Sequence, residues 1–255
     1  MTFNTNTIPI GKGKANAFVI EIRAGAGGDE AGLFAGELYR AYTRFAQIMG
    51  WKFSELSAAE GGLGEFKEVS LEITSANPAE TDLYELFKNE SGVHRVQRIP
   101  KTEKSGRIHT STVTVAVLPG LTPVHLSIDP KSIKFEAFRS GGHGGQNVNK
   151  VSTAVRLTHL PTGIIVSCQQ ERSQFQNRER AMGLLEGKLY SMLVLQKKGS
   201  IDELRREQVG SGDRSEKIKT YNFPQDRLTD HRVNKSWHNL EKIMNGEMGK
   251  IFFPA

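Results

Sequence analysis

The sequence holds 255 residues, 37% of them hydrophobic and 24% charged, with 26 glycines and 9 prolines, a folded composition rich in turns rather than a disordered or fibrous one. No apolar run approaches the roughly 20 residues a bilayer span needs, the first residues lack the basic and apolar regions of a secretory leader, and the single cysteine, Cys168, excludes an internal disulfide and any multi-thiolate metal site. The net charge of +6 is uneven: up to Gly92 there are 8 basic and 13 acidic residues, and after it 26 and 15, a field that suits a polyanion such as nucleic acid and that a basic solvated surface also accounts for.

Residues 1–14 are polar and glycine-spotted, a loose lead-in. Residues 17–22 predict a strand that runs into the glycine turn Arg23-Ala24-Gly25-Ala26-Gly27-Gly28, with Asp29 in position to cap a helix. In that helix Leu33, Phe34, Leu38, Tyr42, Phe45 and Met49 recur at three- and four-residue spacing, and Gly50 stops it. Val69, Leu71 and Ile73 alternate with Glu68, Ser70 and Glu72, and residues 112–117 alternate with Val113, Val115 and Val117 on one face, both half-buried strands. This first segment reads as α+β around an antiparallel sheet.

Leu118-Pro119-Gly120 and Pro123 punctuate the chain before a second unit with strands expected at 133–138, 153–160 and 164–169, the last two joined by a Pro161-Thr162-Gly163 turn. A helix is predicted over 177–196, with Ala181, Leu184, Leu185, Leu189, Met192 and Leu193 in one stripe and Lys197-Lys198-Gly199 as its stop. Residues 210–232 are polar and turn-rich, a hinge or switch loop by composition, and a last helix is expected from 233 to 245 with Trp237, Leu240 and Met244 turned inward.

Between two of these strands lies Ser140-Gly141-Gly142-His143-Gly144-Gly145-Gln146-Asn147, with four glycines in eight residues. Glycine loses more backbone freedom on folding than any other residue, so such a loop serves either close backbone approach to a ligand or plain surface flexibility. No Gly-Lys-Ser/Thr follows, which excludes a P-loop, and the flanking antiparallel strands exclude a dinucleotide fingerprint.

Gly144-Gly145-Gln146 followed by Asn147-Val148-Asn149 resembles the Gly-Gly-Gln loop of the class I peptide chain release factors. Further stretches resemble the same family in the same order: residues 90–98 (Glu-Ser-Gly-Val-His-Arg-Val-Gln-Arg), 106–111 (Gly-Arg-Ile-His-Thr-Ser), 157–164, 171–174 and 220–225. The resemblance implies an α+β protein, an antiparallel-sheet codon-recognition unit plus a smaller α/β sandwich-like catalytic domain bearing the loop. Its expected organisation is a lead-in over 1–14, a codon-recognition domain over 15–122 completed by 219–255, a hydrolysis domain over 123–209, a switch loop over 210–232, and a C-terminal helix within 233–255 packing on the codon-recognition domain. The implied activity is translation termination at UAA and UAG, with water attacking the peptidyl-tRNA ester on the ribosome. The Gln146 N–H would stabilise the oxyanion, its side chain would admit water and exclude bulkier nucleophiles, and Gly144 and Gly145 would allow the required backbone. Gln146 is also the implied target of a glutamine methyltransferase. His143 stands where most relatives have a small residue or proline, and reads as an RNA contact or a neutral change.

Pro100-Lys101-Thr102 resembles the Pro-x-Thr tripeptide of the UAA- and UAG-reading branch. By the same resemblance Gln97 addresses the third base, Thr110 hydrogen-bonds within the codon, His109 stacks between the second and third bases, and Gly27 and Glu30 select the leading uridine. The implied partners are the ribosome at its decoding and peptidyl transferase centres, the stop codon of the messenger and peptidyl-tRNA; no metal or cofactor, no membrane and a monomer in the cytoplasm are expected. The helical domain that bacterial relatives carry ahead of the position of Phe18 is not matched here, and neither is the contact with a recycling GTPase that it provides. A codon-independent rescue hydrolase and a non-catalytic RNA-binding module are the rival readings; the tripeptide and the ending Ile251-Phe252-Phe253-Pro254-Ala255, which is no basic tail, argue against the first.

Overall fold

The computed structural model describes residues 17–75, 82–100, 103, 105–120, 126, 128–139 and 151–253. In chain order the elements are β1 (Ala17–Ala24), α1 (Asp29–Ile48), β2 (Lys52–Glu60), β3 (Phe66–Thr74), α2 (Leu83–Phe87), β4 (Gly92–Arg98), β5 (His109–Pro119), β6 (Ile133–Phe138), β7 (Ala154–His159), β8 (Ile165–Cys168), α3 (Gln174–Val209), β9 (Lys217–Asn222), β10 (Arg227–Asp230), β11 (Lys235–His238), α4 (Leu240–Met244) and α5 (Gly249–Phe252). They form two units, one from Met1–Leu121 with Ile201–Ala255 and one from Thr122–Ser200, so the division falls inside α3. The whole is α+β.

The first unit is an eight-stranded sheet in the order β11-β10-β9-β4-β5-β1-β3-β2, antiparallel throughout except where β4 runs parallel to β9. Period-two alternation decides which face is buried. Phe18, Ile20 and Ile22 of β1, Val69, Leu71 and Ile73 of β3, and Val113, Val115 and Val117 of β5 lie in one core with Phe34, Leu38, Tyr42 and Phe45 of α1. Each such large apolar side chain contributes about 1.5–3 kcal/mol on burial. The short C-terminal helices close one end of this core: the Phe252 ring stacks on Phe45 at 4.8 Å.

Three expectations fail in this unit. Residues 210–232 are not a loop, because they contain β9 and β10, which extend the sheet beyond β4. Their alternation was hidden because one inward position is a lysine, Lys219, buried to 2% beside Glu90. Nor is 233–245 a helix: Trp237 pairs with Leu228 across the β10–β11 ladder. Asn239 then takes a left-handed turn (φ 68°) before α4 starts, and the Asp226 carboxylate accepts from the N–H groups of Asn239 and Leu240. Spacings of three and four among Trp237, Leu240 and Met244 imitate a helix that is only five residues long. Asp29 is also the first helical residue rather than the cap, a place Gly28 takes without a side chain.

The second unit is a three-stranded antiparallel sheet, β6-β7-β8. Val155, Leu157, Val166 and Cys168 pack against Ala181, Leu185 and Leu189 of α3. That helix continues through Gly199 to Val209 instead of ending after 196. A lone helical glycine costs only about 1 kcal/mol, and the extension is tied down within the first unit: Arg205 grips both carboxylate oxygens of Glu21 at 2.6 Å, and the Gln208 amide pairs with the N–H and C=O of Val117 at 2.8 and 2.9 Å. Among the described residues no helix is long and apolar enough to cross a membrane.

Candidate functional site

The glycine turn before α1 is strapped to β5. Gly25 N–H donates to the Thr112 carbonyl and Thr112 N–H to the Ala26 carbonyl, each at 2.8 Å, while Thr112 Oγ1 accepts from Ala26 N–H at 2.9 Å and donates to the Gly212 carbonyl at 3.1 Å. Gly27 has φ 132°, and a Cβ there would stand 2.2 Å from Ser111 Oγ, so both conformation and space require glycine. Glu30 follows in the first helical turn, where the helix dipole favours an anion, and it is only 4% exposed.

The same end of the sheet holds the last residues of β4 and the first of β5. Gln97 lies opposite Thr110 and Arg98 opposite His109. Strand alternation therefore sends Gln97 and Thr110 to one face, and Arg98 and His109 to the face that carries α1. Gln97 is fixed from β9: its carbonyl accepts from Phe223 N–H at 3.0 Å and its Oε1 from Asn222 at 3.4 Å. The half-exposed His109 ring meets Glu103 through Nε2 at 2.7 Å. Ser105 N–H, then the His109 ring, hold that carboxyl below the usual range. Pro100 is buried and its carbonyl accepts from Glu103 N–H at 3.1 Å. Lys101 and Thr102 lie outside the described residues.

A buried polar cluster lies at the opposite, starting end of β4. Lys219 pairs with Glu90, whose other oxygen accepts from Tyr42 OH at 3.0 Å. His94 places Nε2 2.8 Å from the Glu90 carbonyl and Nδ1 3.2 Å from Tyr221 OH. A carbonyl only accepts, which assigns the proton to Nε2 and makes Tyr221 the donor to Nδ1. Burial lowers the His94 pKa to about 4, against the nearby Glu90 charge and helped by Lys219. Burial alone would raise Glu90; the Lys219 ammonium outweighs it and the carboxyl is held below its ordinary value. The cluster joins β4, β9, α1 and the turn before β4.

In the second unit, Gly144, Gly145 and Gln146 lie outside the described residues. The strands on either side of that segment are neighbours: Phe138, the last residue of β6, pairs with Ala154, the first of β7. The chain entering β7 after that segment is bolted by Asn177, fully buried, which donates to the carbonyls of Thr153 and Glu171 at 2.9 Å each and accepts from Glu171 N–H at 2.9 Å. Gln174 adds a bond to the Ser152 carbonyl at 3.1 Å. Two arginines stand over phenylalanines of β6, Arg156 over Phe138 at 5.2 Å and Arg178 over Phe135 at 5.3 Å. Among the described residues no three His, Cys, Asp or Glu side chains gather as metal ligands.

The PCRF domain family model matches residues 2–115 and the RF-1 domain model residues 122–232. Peptide chain release factor 1 of Thermoanaerobacter pseudethanolicus is 53% identical over 233 residues, 91% of this chain and 64% of that protein. The protein of the same name from Chlorobaculum tepidum is 55% identical over 234 residues, with the same coverage. Among solved structures, RF2 of Thermus thermophilus superposes with a TM-score of 0.55 at 31% identity, over 96% of this chain and 68% of that one. The chain belongs to the class I peptide chain release factors.

The chain spans 64% of the length of these two curated relatives. Of the release-factor residues expected from the sequence, six fall in the described part, and Gly27, Glu30, Gln97, Pro100, His109 and Thr110 come together at one end of one sheet. Sequence reasoning missed three residues that hold this end in place. Glu103, three after Pro100, steadies His109; Arg98 contacts two carboxylates of α1; Thr112 laces the glycine turn to β5. For Arg98 a signal was present, since a charged residue directly after Gln97 must face the apolar side of a sheet.

Proposed function

We propose that the chain recognises UAA and UAG in the ribosomal A site and promotes hydrolysis of the ester joining the nascent polypeptide to tRNA. The gathering of Gly27, Glu30, Gln97, Pro100, His109 and Thr110 at one end of the eight-stranded sheet carries this reading. The chemistry of those residues supports it. The half-exposed His109 ring offers a stacking surface for an unpaired base, and Glu103 restrains it. Because His109 and Thr110 point to opposite faces, a base threaded past the strand end on one side is walled off from a base meeting Thr110 and the Gln97 amide on the other. A hydroxyl both donates and accepts, so Thr102 of the Pro100-Lys101-Thr102 tripeptide can face either purine edge, while the Ser-Pro-Phe of UGA readers is absent.

Release itself belongs to Gly144-Gly145-Gln146. A backbone N–H held where the ester oxygen gains charge stabilises the transition state with little reorganisation, and the paired strands and Asn177 give the loop a fixed base. The partners are the ribosome, the messenger stop codon, peptidyl-tRNA and a methyltransferase acting on the Gln146 amide, and the compartment is the cytoplasm.

The test is release of formyl-methionine from ribosomal complexes programmed with UAA, UAG, UGA or a sense codon. Release at UAA and UAG alone is expected. Equal release at the sense codon identifies a rescue hydrolase, and binding without release at any codon identifies an RNA-binding module; either result refutes the proposal.

A further inference from the structure

Two of the elements that carry the proposed codon-facing residues, the start of α1 and the end of β4, are joined by one guanidinium. Arg98 follows Gln97 directly and reaches across to α1, where Nε donates to Glu30 Oε1 and Nη1 to Glu37 Oε2, each at 2.5 Å. Glu30 and Glu37 are two helical turns apart on one face, so the planar fork spans both turns. Its Cζ lies 5.0 Å from the centroid of the Phe223 ring, and Phe223 N–H is bonded to the Gln97 carbonyl. The arginine is thus gripped at its edge by α1 and stacked on its face by the residue that also fixes Gln97. The three charged side chains are 12%, 5% and 19% exposed.

Stability alone does not account for this arrangement. Buried ion pairs are often no more stabilising than apolar packing of the same volume, and this one leaves Glu30 Oε2 and Arg98 Nη2 buried without a hydrogen-bond partner, a cost that a purely structural pair would avoid. What the pair does provide is register: a fork of fixed geometry permits one placement of α1 against β4, whereas the point charge of lysine permits many.

We propose that Arg98 is the positioning residue that locks the N-terminal turn of α1, with Gly27 and Glu30, to Gln97 on β4, so that the contacts to the first and third codon bases are presented as one rigid set. This rests on the codon-reading proposal above.

The experiment is single-turnover release at increasing concentrations of the full chain on complexes programmed with UAA, UAG and the first-base mismatch CAA, comparing wild type with Arg98→Lys, Arg98→Met and Glu37→Gln. The concentration for half-maximal release on UAA and UAG should rise about tenfold in Arg98→Lys and Arg98→Met and less in Glu37→Gln, and the preference for UAA over CAA should narrow by a similar factor, with the rate at saturation held. A merely structural arginine gives a different pattern: melting falls, the active fraction and saturating rate drop, the UAA-to-CAA ratio stays put, and Arg98→Lys restores everything. That pattern overturns the proposal. Should Arg98→Met fail to fold, Arg98→Lys and Glu37→Gln still decide the ratio. Absence of stop-codon preference in the wild type refutes codon reading itself, a result distinct from wild-type discrimination that the variants leave untouched.

Discussion

Acid should loosen the first unit well before its carboxylates are protonated, and His94 is the cause. The imidazole is buried and neutral, donating through Nε2 to the Glu90 carbonyl and accepting from Tyr221. Its pKa is about 4 in the folded chain, down from an ordinary 6.5, chiefly through burial. A histidine with a depressed folded pKa binds its proton more readily when unfolded, so stability is full above pH 6.5 and declines as pH falls toward 4. The gap corresponds to about 3 kcal/mol in total, of which about 2 kcal/mol is lost by pH 5. Glu90 and Asp230 are shifted below their ordinary values of 4.5 and 3.8, so their contributions are intact at pH 5 and fade only as pH falls below those ordinary values. His231, lowered mainly by burial, adds a loss of the same sign. The assay is urea unfolding from pH 8 to pH 5 for wild type and His94→Gln. An amide keeps the donor to the Glu90 carbonyl but loses the stacking on Tyr221, at 5.8 Å between ring centroids, so the variant should be weaker by about 1–2 kcal/mol at pH 8. Its disadvantage should vanish by pH 5, because it has no proton to take up there. Parallel curves for the two proteins across the whole range would refute the assignment of a buried neutral histidine.

Lys219→Met leaves Glu90 in the core without its counter-charge and should cost about 3–5 kcal/mol, whereas adding Glu90→Gln should recover most of it; chemical denaturation of the single and double variants measures the difference. Gly27→Ala drives a Cβ into Ser111 at a positive φ and should destabilise by about 1–3 kcal/mol, read by melting, with weaker binding to UAA-programmed complexes. Asn177→Leu strands the Glu171 N–H and the Thr153 carbonyl; a loss of about 3 kcal/mol or more is expected, and hydrogen exchange should speed up at Glu171 ahead of the first unit's strands.

Elements whose apolar residues obey a single period were legible in the sequence. β1, β3, β5 and α1 are of this kind, and so are β6, β7 and β8, each bounded by glycine or proline. The failure over 210–232 has one physical cause, polar residues doing inward work. Lys219 in β9 is buried because Glu90, in the turn before β4, pairs with it, while Thr220 in β9 and Asp230 in β10 are buried against His231 and Arg232 from the turn after β10; no local pattern reveals a partner as distant as Glu90. β2 escaped for the opposite reason: it is an edge strand, exposed along its whole length, with register breaks near Glu55 and Ala59. The site divides the same way. Residues that would touch ligand stand in compact motifs, such as Gly27 in its glycine turn and His109-Thr110 in one pair, and were readable as a set. Those that hold them (Arg98, Glu103, Thr112, Asn177) act through contacts to neighbouring strands, turns and helices and became visible only in the fold.

In the proposed function a backbone N–H at Gln146 promotes release once a distinct surface has read the codon. Gln146→Pro deletes that N–H, and Gln146→Ala keeps it while removing the amide side chain. Single-turnover release on UAA-programmed complexes, at rising concentrations of each protein, separates rate from affinity. The account predicts that Gln146→Pro lowers the saturating rate by roughly a hundredfold or more, that Gln146→Ala loses far less, and that both reach half-saturation where the wild type does. Release by Gln146→Pro at the wild-type rate, or loss of binding in place of rate, contradicts it.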